Sequence, residues 1–189
     1  MNLVKYLISV RKTADGKVVE WVDAGISDRW ESYKKATDGL LRPFVALNTK
    51  LFQDQGNSVE LPFAEPAQIL PDRTGILVIF KPGSYIHPDG TDVFPCPNNA
   101  AIYNADGSLR CQVHFANRPA WSSDYIIERT FTHIITHRTL PIGRQGEPID
   151  PPIVQFGVLV GTIKRPPESF YVLDTETGAL TDGLFNVPY

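Results

Sequence analysis

Three side chains in the segment 125–137 are of types that bind zinc. His133 and His137 lie four residues apart, and Glu128 precedes them. On an α-helix, histidines at this spacing bind a single ion and a nearby carboxylate completes the ligand set. The segment YIIERTFTHIITH is rich in β-branched residues, however, which predicts a long strand. In a strand the two histidines are about 13 Å apart at about 3.3 Å per residue, so we assign no metal site.

A second group of residues could support hydrolysis. It consists of two serines, two histidines and two carboxylates: Ser122, Ser123, His114, His133, Asp124 and Glu128. A nucleophile needs a base held next to it, which leaves open a small hydrolase that uses the histidine-bearing strand. The chain has no G-x-S-x-G elbow, no glycine-rich phosphate loop and no C-x-x-C pair. We therefore assign no catalytic residue and no cofactor, and the hydrolase is an alternative hypothesis.

Large side chains in predicted loops are the binding candidates. Tyr85 and His87 fall in the segment 81–98, which has four prolines and two glycines, and Trp121 closely precedes Asp124. Loops carry many binding residues, and aromatic side chains are enriched at the centres of interfaces. We predict that Tyr85, His87, Trp121 and Asp124 form a protein-binding patch. The alternative is that the aromatic side chains fold back and anchor their own loops.

Charge and composition limit the classes of partner. The chain has 18 Lys and Arg against 21 Asp and Glu, a formal net charge of −3, and no block of five like charges. This excludes the basic footprint of a nucleic-acid-binding protein. No stretch approaches the roughly 18 apolar residues of a membrane span. With two cysteines, Cys96 and Cys111, and no signal h-region at the start, we predict a cytoplasmic location.

The elements that position these residues are mostly predicted strands. Segments 3–10 and 17–22 flank Ala14-Asp15-Gly16, which indicates an opening hairpin. The apolar run Ile76–Phe80 is typical of a strand covered on both faces. Segments 100–103 and 109–115 predict a second hairpin, with Leu109, Cys111, Val113 and Phe115 on one face. Further strands are predicted over 125–137, 153–163 and 170–173, and Gly157 and Gly161 mark bulges or close approaches.

One helix is predicted. Ser27 and Asp28 offer N-cap oxygens, and large residues recur at helical spacing from Trp30 to Leu41. The helix spans about 28–41 and ends before the Arg42-Pro43 step. Segment 45–52 is left open as a short helix or an edge strand, 62–71 is a loop, and 141–152 is a connector. The sum is an α+β fold, a mostly antiparallel sheet with the helix packed on one face, in a single domain over 1–189.

The predicted second hairpin carries a resemblance. Its sequence Asn98–Arg110, NNAAIYNADGSLR, resembles hairpins of small bacterial cytoplasmic proteins, some of them immunity proteins encoded beside polymorphic or contact-dependent toxins, and the closing FYVLDTETGAL is similar to material in the same kind of protein. The resemblance implies a non-catalytic protein that neutralises a cognate toxin domain by forming a tight complex. A mildly acidic inhibitor would associate faster with a basic toxin.

Two alternatives stand beside the toxin inhibitor. The first is the hydrolase, which would show a histidine and a carboxylate converging in one pocket. The second is a structural or phage-derived oligomer subunit, for which the signs would be an extended exposed strand edge and self-association. The sequence leaves the oligomeric state open.

Overall fold

The computed structural model describes residues 2–25, 28–115, 124–139, 145–162 and 165–186. Within these ranges the chain forms thirteen strands in three sheets and one helix. The strands of the first sheet are β1 Val4–Lys12, β2 Val18–Ala24, β3 Val45–Gln53 and β4 Ser58–Leu61, in the order β2-β1-β3-β4. Helix α1, Arg29–Thr37, follows β2.

The second and third sheets follow along the chain. The second comprises β5 Ala67–Ile69, β6 Gly75–Ile79, β7 Ala100–Asn104 and β8 Leu109–Gln112, in that order. The third comprises β9 His114–Phe115, β10 Tyr125–Thr139, β11 Gln145–Thr162, β12 Arg165–Leu173 and β13 Ala179–Asn186, in the order β10-β11-β12-β13-β9. Described neighbouring strands are antiparallel except β13 and β9.

The second sheet is the middle layer of three. Ile76 and Val78 of β6 pack in one core cluster with residues of the first sheet. Leu77, between them, packs in another cluster with residues of the third sheet. Successive side chains of a strand point to opposite faces, so both faces of β6 are buried. The continuous apolar run Ile76–Phe80 therefore forms the doubly covered strand that the sequence predicts.

Both predicted hairpins form, with one correction. Gly16 has a φ of +88°, a conformation that glycine adopts without strain, and β1 pairs with β2 as expected. The predicted strand 109–115 is split at Val113, where the chain leaves the second sheet and joins β13 of the third. Cys111, Val113 and Phe115 nevertheless pack in the same core cluster, as the predicted shared face requires. Leu109 is exposed, so the prediction is wrong for this residue.

The helix is shorter and less buried than predicted. It ends at Thr37, and none of its residues is buried. The helix lies beside β2, an edge strand of the first sheet, where the Val22 backbone N–H donates to Ser32 Oγ at 2.9 Å. The fold is thus mostly antiparallel sheet with one minor helix, and that helix adds no residue to the cores.

Four other segments differ from the predictions or resolve them. Segment 45–52 belongs to β3, which lies inside the first sheet between β1 and β4. Segment 62–71 contains β5, and much of segment 141–152 belongs to β11. Strand β13 has no counterpart among the predicted strands. None of the helices in the described ranges has the length and apolar character of a membrane span.

Candidate interaction surface

The predicted patch residues occupy different surroundings. Tyr85 is half-buried and stacks on Phe80, with ring centroids 5.4 Å apart, at the margin of the first core. This contact is the one expected if the aromatic side chain folds back and anchors its own loop. His87 is exposed in a turn closed by the Gly90 N–H donating to the His87 carbonyl at 2.9 Å. Asp124 is exposed just before β10, and Trp121 lies outside the described residues.

The candidate zinc ligands Glu128, His133 and His137 lie on a strand, β10, as predicted. His133 pairs with Gln155 of β11, and His137 pairs with Pro148. The His133 ring lies against Phe170, with centroids 6.3 Å apart. Among the described residues no group of three histidine, cysteine or acidic side chains could hold a metal ion.

A cavity of about 580 Å³ separates the second sheet from β10. Its walls are mainly apolar and include Leu77, Ile79, Ile126 and Ile127. Glu128 is the one carboxylate among the described residues that line it, and none of those residues is a histidine, serine or cysteine. The convergence expected of the hydrolase is therefore not found in the lining that the structure describes.

The cysteines are free, half-buried thiols. Burial raises the pKa of both Cys96 and Cys111. A raised pKa keeps a thiol protonated and weakly nucleophilic at neutral pH. Arg110 beside Cys111 acts in the opposite direction, but burial outweighs it and the pKa of that thiol stays raised.

The paired strands β10 and β11 extend beyond the rest of the third sheet. Strand β12 pairs with β11 only over 157–162, so residues 145–156 pair, within the described strands, with β10 alone. We call residues 131–139 with 145–156 the ribbon. No residue in 128–137 or 146–156 is buried. The ribbon is therefore a two-stranded extension of the third sheet whose described side chains are all exposed or half-buried.

Both faces of the ribbon carry exposed aliphatic side chains. Ile134 and Val154 are direct cross-strand partners and are 57% and 59% exposed. The next cross-strand pair joins Ile135 of β10 to Ile153 of β11, and Ile153 is 48% exposed. Because adjacent residues of a strand point to opposite faces, these two pairs lie on opposite faces of the ribbon.

Only part of an apolar run in β11 is buried. The sequence IVQFGVLV, 153–160, is the kind of continuous run found in strands buried on both faces. Val158, Leu159 and Val160 are buried, whereas Ile153 and Val154 at the other end of the run are exposed. The boundary is Gly157, where an added Cβ would lie 1.9 Å from the Tyr171 carbonyl oxygen of β12. The first half of the run thus has apolar character that the described fold does not bury.

The two edges of the ribbon differ. Strand β10 is the edge of the third sheet, and its segment Thr130–Thr136, TFTHIIT, has no formal charge and no proline. Exposed edges are normally protected by lysine, proline or a bulge. Strand β11 has such protection: Pro148, Pro151 and Pro152 have no N–H to donate, and four residues, 149–152, lie opposite the single Thr136. Strand β10 also has a bulge, between Ile127 and Arg129, but this lies outside Thr130–Thr136. Among the described strands, β11 is the only one that pairs with β10.

Sequence reasoning did not select the ribbon residues Ile134, Ile153 and Val154. Their signal was the uncharged β-branched segment 130–136 followed by an apolar run at 153–160. That pattern predicts strands, and it does not show which half of each strand is covered.

Comparison with protein-family models, with curated proteins and with solved structures found no match to this chain.

Proposed function

We propose that the protein is a structural subunit that assembles with further copies of itself through the ribbon. The observation that carries the proposal is the segment Thr130–Thr136 of the edge strand β10, which has no formal charge and no proline and belongs to a ribbon with exposed aliphatic side chains on both faces. In the assembly, the β10 edge pairs with β10 of another copy. Ribbons of further copies pack on the two faces of the extended sheet and cover Ile134, Ile153 and Val154.

The chemistry of the edge favours an identical partner. Two copies of β10 related by a two-fold axis present the same segment to each other, as in an isologous interface. Like charges placed opposite each other destabilise strand pairing, and Thr130–Thr136 has no formal charge. The pairing therefore places no like charges opposite each other within this segment.

The size of the ribbon is also sufficient for association. From Phe131 to Thr139 it is about 27 Å long and about 10 Å wide, at about 3.3 Å per residue and about 4.8 Å per strand. Its two faces together offer about 540 Å² per copy, so two ribbons offer about 1,080 Å², just above the roughly 1,000 Å² in total that a specific interface needs. A two-stranded hairpin alone is marginally stable in water, so covering the ribbon would also stabilise it.

The toxin-inhibitor hypothesis and the cytoplasmic location stay predictions. An inhibitor that meets a basic toxin by charge complementarity needs an acidic surface. The segment Thr130–Thr136 of β10 has no acidic residue, and the acidic residues of the ribbon, Glu147 and Asp150, lie on β11. Tyr85, one of the residues predicted to bind the toxin, stacks within the protein.

Sedimentation velocity over a range of concentrations tests the proposal. We expect the wild type to form dimers or larger oligomers, and Val154→Lys and Ile134→Lys to shift it to monomers. The matched control is Val18→Lys, because Val18 of β2 is 60% exposed, nearly the same as Val154 at 59%. A lysine on the ribbon places charge in the interface, whereas the same change on β2 leaves assembly intact.

Two results would contradict the proposal. One is a monomeric wild type at about 100 µM, which is incompatible with a micromolar Kd, about −8 kcal/mol. The other is assembly that Val154→Lys and Val18→Lys weaken equally. If the wild type is monomeric, co-purification with a toxin domain encoded by an adjacent gene becomes the test of the inhibitor hypothesis.

A further inference from the structure

A second cavity, of about 540 Å³, lies between α1 and β2, in the part of the molecule built on the first sheet. The described residues that line it are three aromatic residues and one pair of opposite charges: Trp21, Trp30, Tyr33, Asp23 and Arg29. We call this cavity the aromatic cleft. Its volume falls in the range of about 300–1,000 Å³ that is usual for small-molecule sites.

The aromatic rings of the cleft stand at two orientations. Trp30 and Tyr33 are stacked, with centroids 5.4 Å apart and planes at 27°. Tyr33 meets Trp21 edge-on, with centroids 5.3 Å apart and planes at 87°. Two nearly parallel rings and a third at right angles to Tyr33 give the cleft extended apolar walls.

Local contacts hold this arrangement. Arg42 Nη2 donates to the Tyr33 hydroxyl at 3.1 Å, and the Val22 N–H donates to Ser32 Oγ at 2.9 Å, which joins the helix to the strand. Trp21 is nearly buried, but Trp30 is 70% exposed on a helix that buries no residue. The fold therefore does not require a tryptophan at position 30, and the size and exposure of this ring favour a role in recognition.

The charged pair determines the class of ligand. Arg29 Nη2 lies 3.8 Å from Asp23 Oδ1, so the two formal charges of the lining cancel. A quaternary ammonium ion, which aromatic cages recognise, would also meet the Arg29 guanidinium. A phosphate would meet the Asp23 carboxylate. The pair does suit neutral hydroxyl groups, because carboxylate oxygens accept hydrogen bonds and guanidinium N–H groups donate them.

We propose that the aromatic cleft binds a neutral carbohydrate. The apolar C–H face of a sugar ring packs on Trp30, and its hydroxyl groups bond to Asp23 and Arg29. This site is separate from the ribbon, so the proposal does not depend on self-association.

Ligand-observed NMR and isothermal titration calorimetry test the proposal. The probes are four neutral sugars, maltotriose, cellotriose, chitotriose and methyl β-galactoside, with tetramethylammonium chloride and sodium phosphate as charged probes. We expect at least one sugar to bind with a Kd below about 10 mM, and neither charged probe to compete with it.

Variants locate the binding. Trp30→Ala should weaken sugar binding by about threefold to tenfold, the loss expected for one aromatic contact, and Trp30→Phe should restore part of it. Asp23→Asn should also weaken binding, because it removes a charged acceptor. The matched control is Asp38→Asn, at the end of the helix and outside the lining. Circular dichroism checks that each variant folds.

Three outcomes would overturn the proposal. They are no binding by any of the four sugars, sugar binding that Trp30→Ala leaves unchanged, and preferential binding of tetramethylammonium. The last would assign the cleft to cations.

Discussion

Asn99 is predicted to be a main link between the second and third sheets. Its side chain is completely buried. Nδ2 donates to the carbonyl oxygens of Phe80 and Ile127, at 2.8 and 2.9 Å, and Oδ1 accepts from the Ile127 N–H at 2.9 Å. Phe80 directly follows β6, and Ile127 lies in β10 near the base of the ribbon. A single amide thus satisfies three buried backbone groups on two sheets.

Replacing Asn99 by alanine removes all three hydrogen bonds. At about 1 kcal/mol per bond, and more where a buried group is left unsatisfied, Asn99→Ala should lower the free energy of unfolding by about 3 kcal/mol or more. For a domain of this size that corresponds to a fall in Tm of about 6–12 °C. The control is Asn98→Ala, because the neighbouring asparagine side chain makes no hydrogen bond among those described, and we expect it to change stability by less than about 0.5 kcal/mol.

Urea denaturation followed by tryptophan fluorescence measures the two values. Asn99→Asp gives a second comparison, since it replaces the donating amide by a carboxylate that faces two carbonyl oxygens. Burial and these oxygens favour the protonated acid, so the stability lost in this variant should be partly regained as the pH falls through the raised pKa. If Asn99→Ala and Asn98→Ala unfold at the same urea concentration, the proposed link between the sheets is wrong.

Three further predictions concern the backbone, a turn and the thiols. Gly157→Ala should destabilise by about 3 kcal/mol or more, because its Cβ would meet a carbonyl oxygen of β12 at 1.9 Å. A Cβ added at Gly56 would have no atom within 4 Å, so Gly56→Ala should cost only about 1–2 kcal/mol of backbone strain. Thermal unfolding compares the stabilities of the two variants. The Ser108 hydroxyl donates a hydrogen bond to Asp106 and lowers the pKa of that carboxyl. The stability that the ionised carboxylate gives the folded state is therefore lost as the pH falls through the folded pKa. Ser108→Ala should raise that pKa toward 3.8 in an NMR titration. Burial raises the pKa of both cysteines, so Ellman's reagent at pH 7 should react slowly with the native protein and rapidly in urea; fast native reaction would contradict this.

Much of the secondary structure follows from local sequence. The turn Ala14-Asp15-Gly16 and the β-branched segment 125–137 are predicted because turn geometry and strand propensity depend on neighbouring residues. The strand at Ile76–Ile79 and its double cover also follow from the sequence alone. The helix boundary is less well predicted, since apolar spacing continues to Leu41 although α1 ends at Thr37.

The candidate sites depend on contacts between distant segments. Trp21, Trp30 and Tyr33 converge because α1 turns back along β2, and no local pattern marks them as a group. Tyr85, predicted to be a binding residue, instead stacks on Phe80. The partners of Asn99, Phe80 and Ile127, are likewise 19 and 28 residues away along the chain.

The local sequence is enough to predict that 153–160 is an apolar strand, because backbone geometry and side-chain branching are local properties. The burial of Val158 and the exposure of Val154 depend instead on tertiary contacts. The pairing of β12 with β11 begins at Gly157 and leaves residues 145–156 to pair with β10 among the described strands. Burial depends on which distant segments cover a strand, so two valines of one apolar run differ in exposure for a reason that the run does not contain.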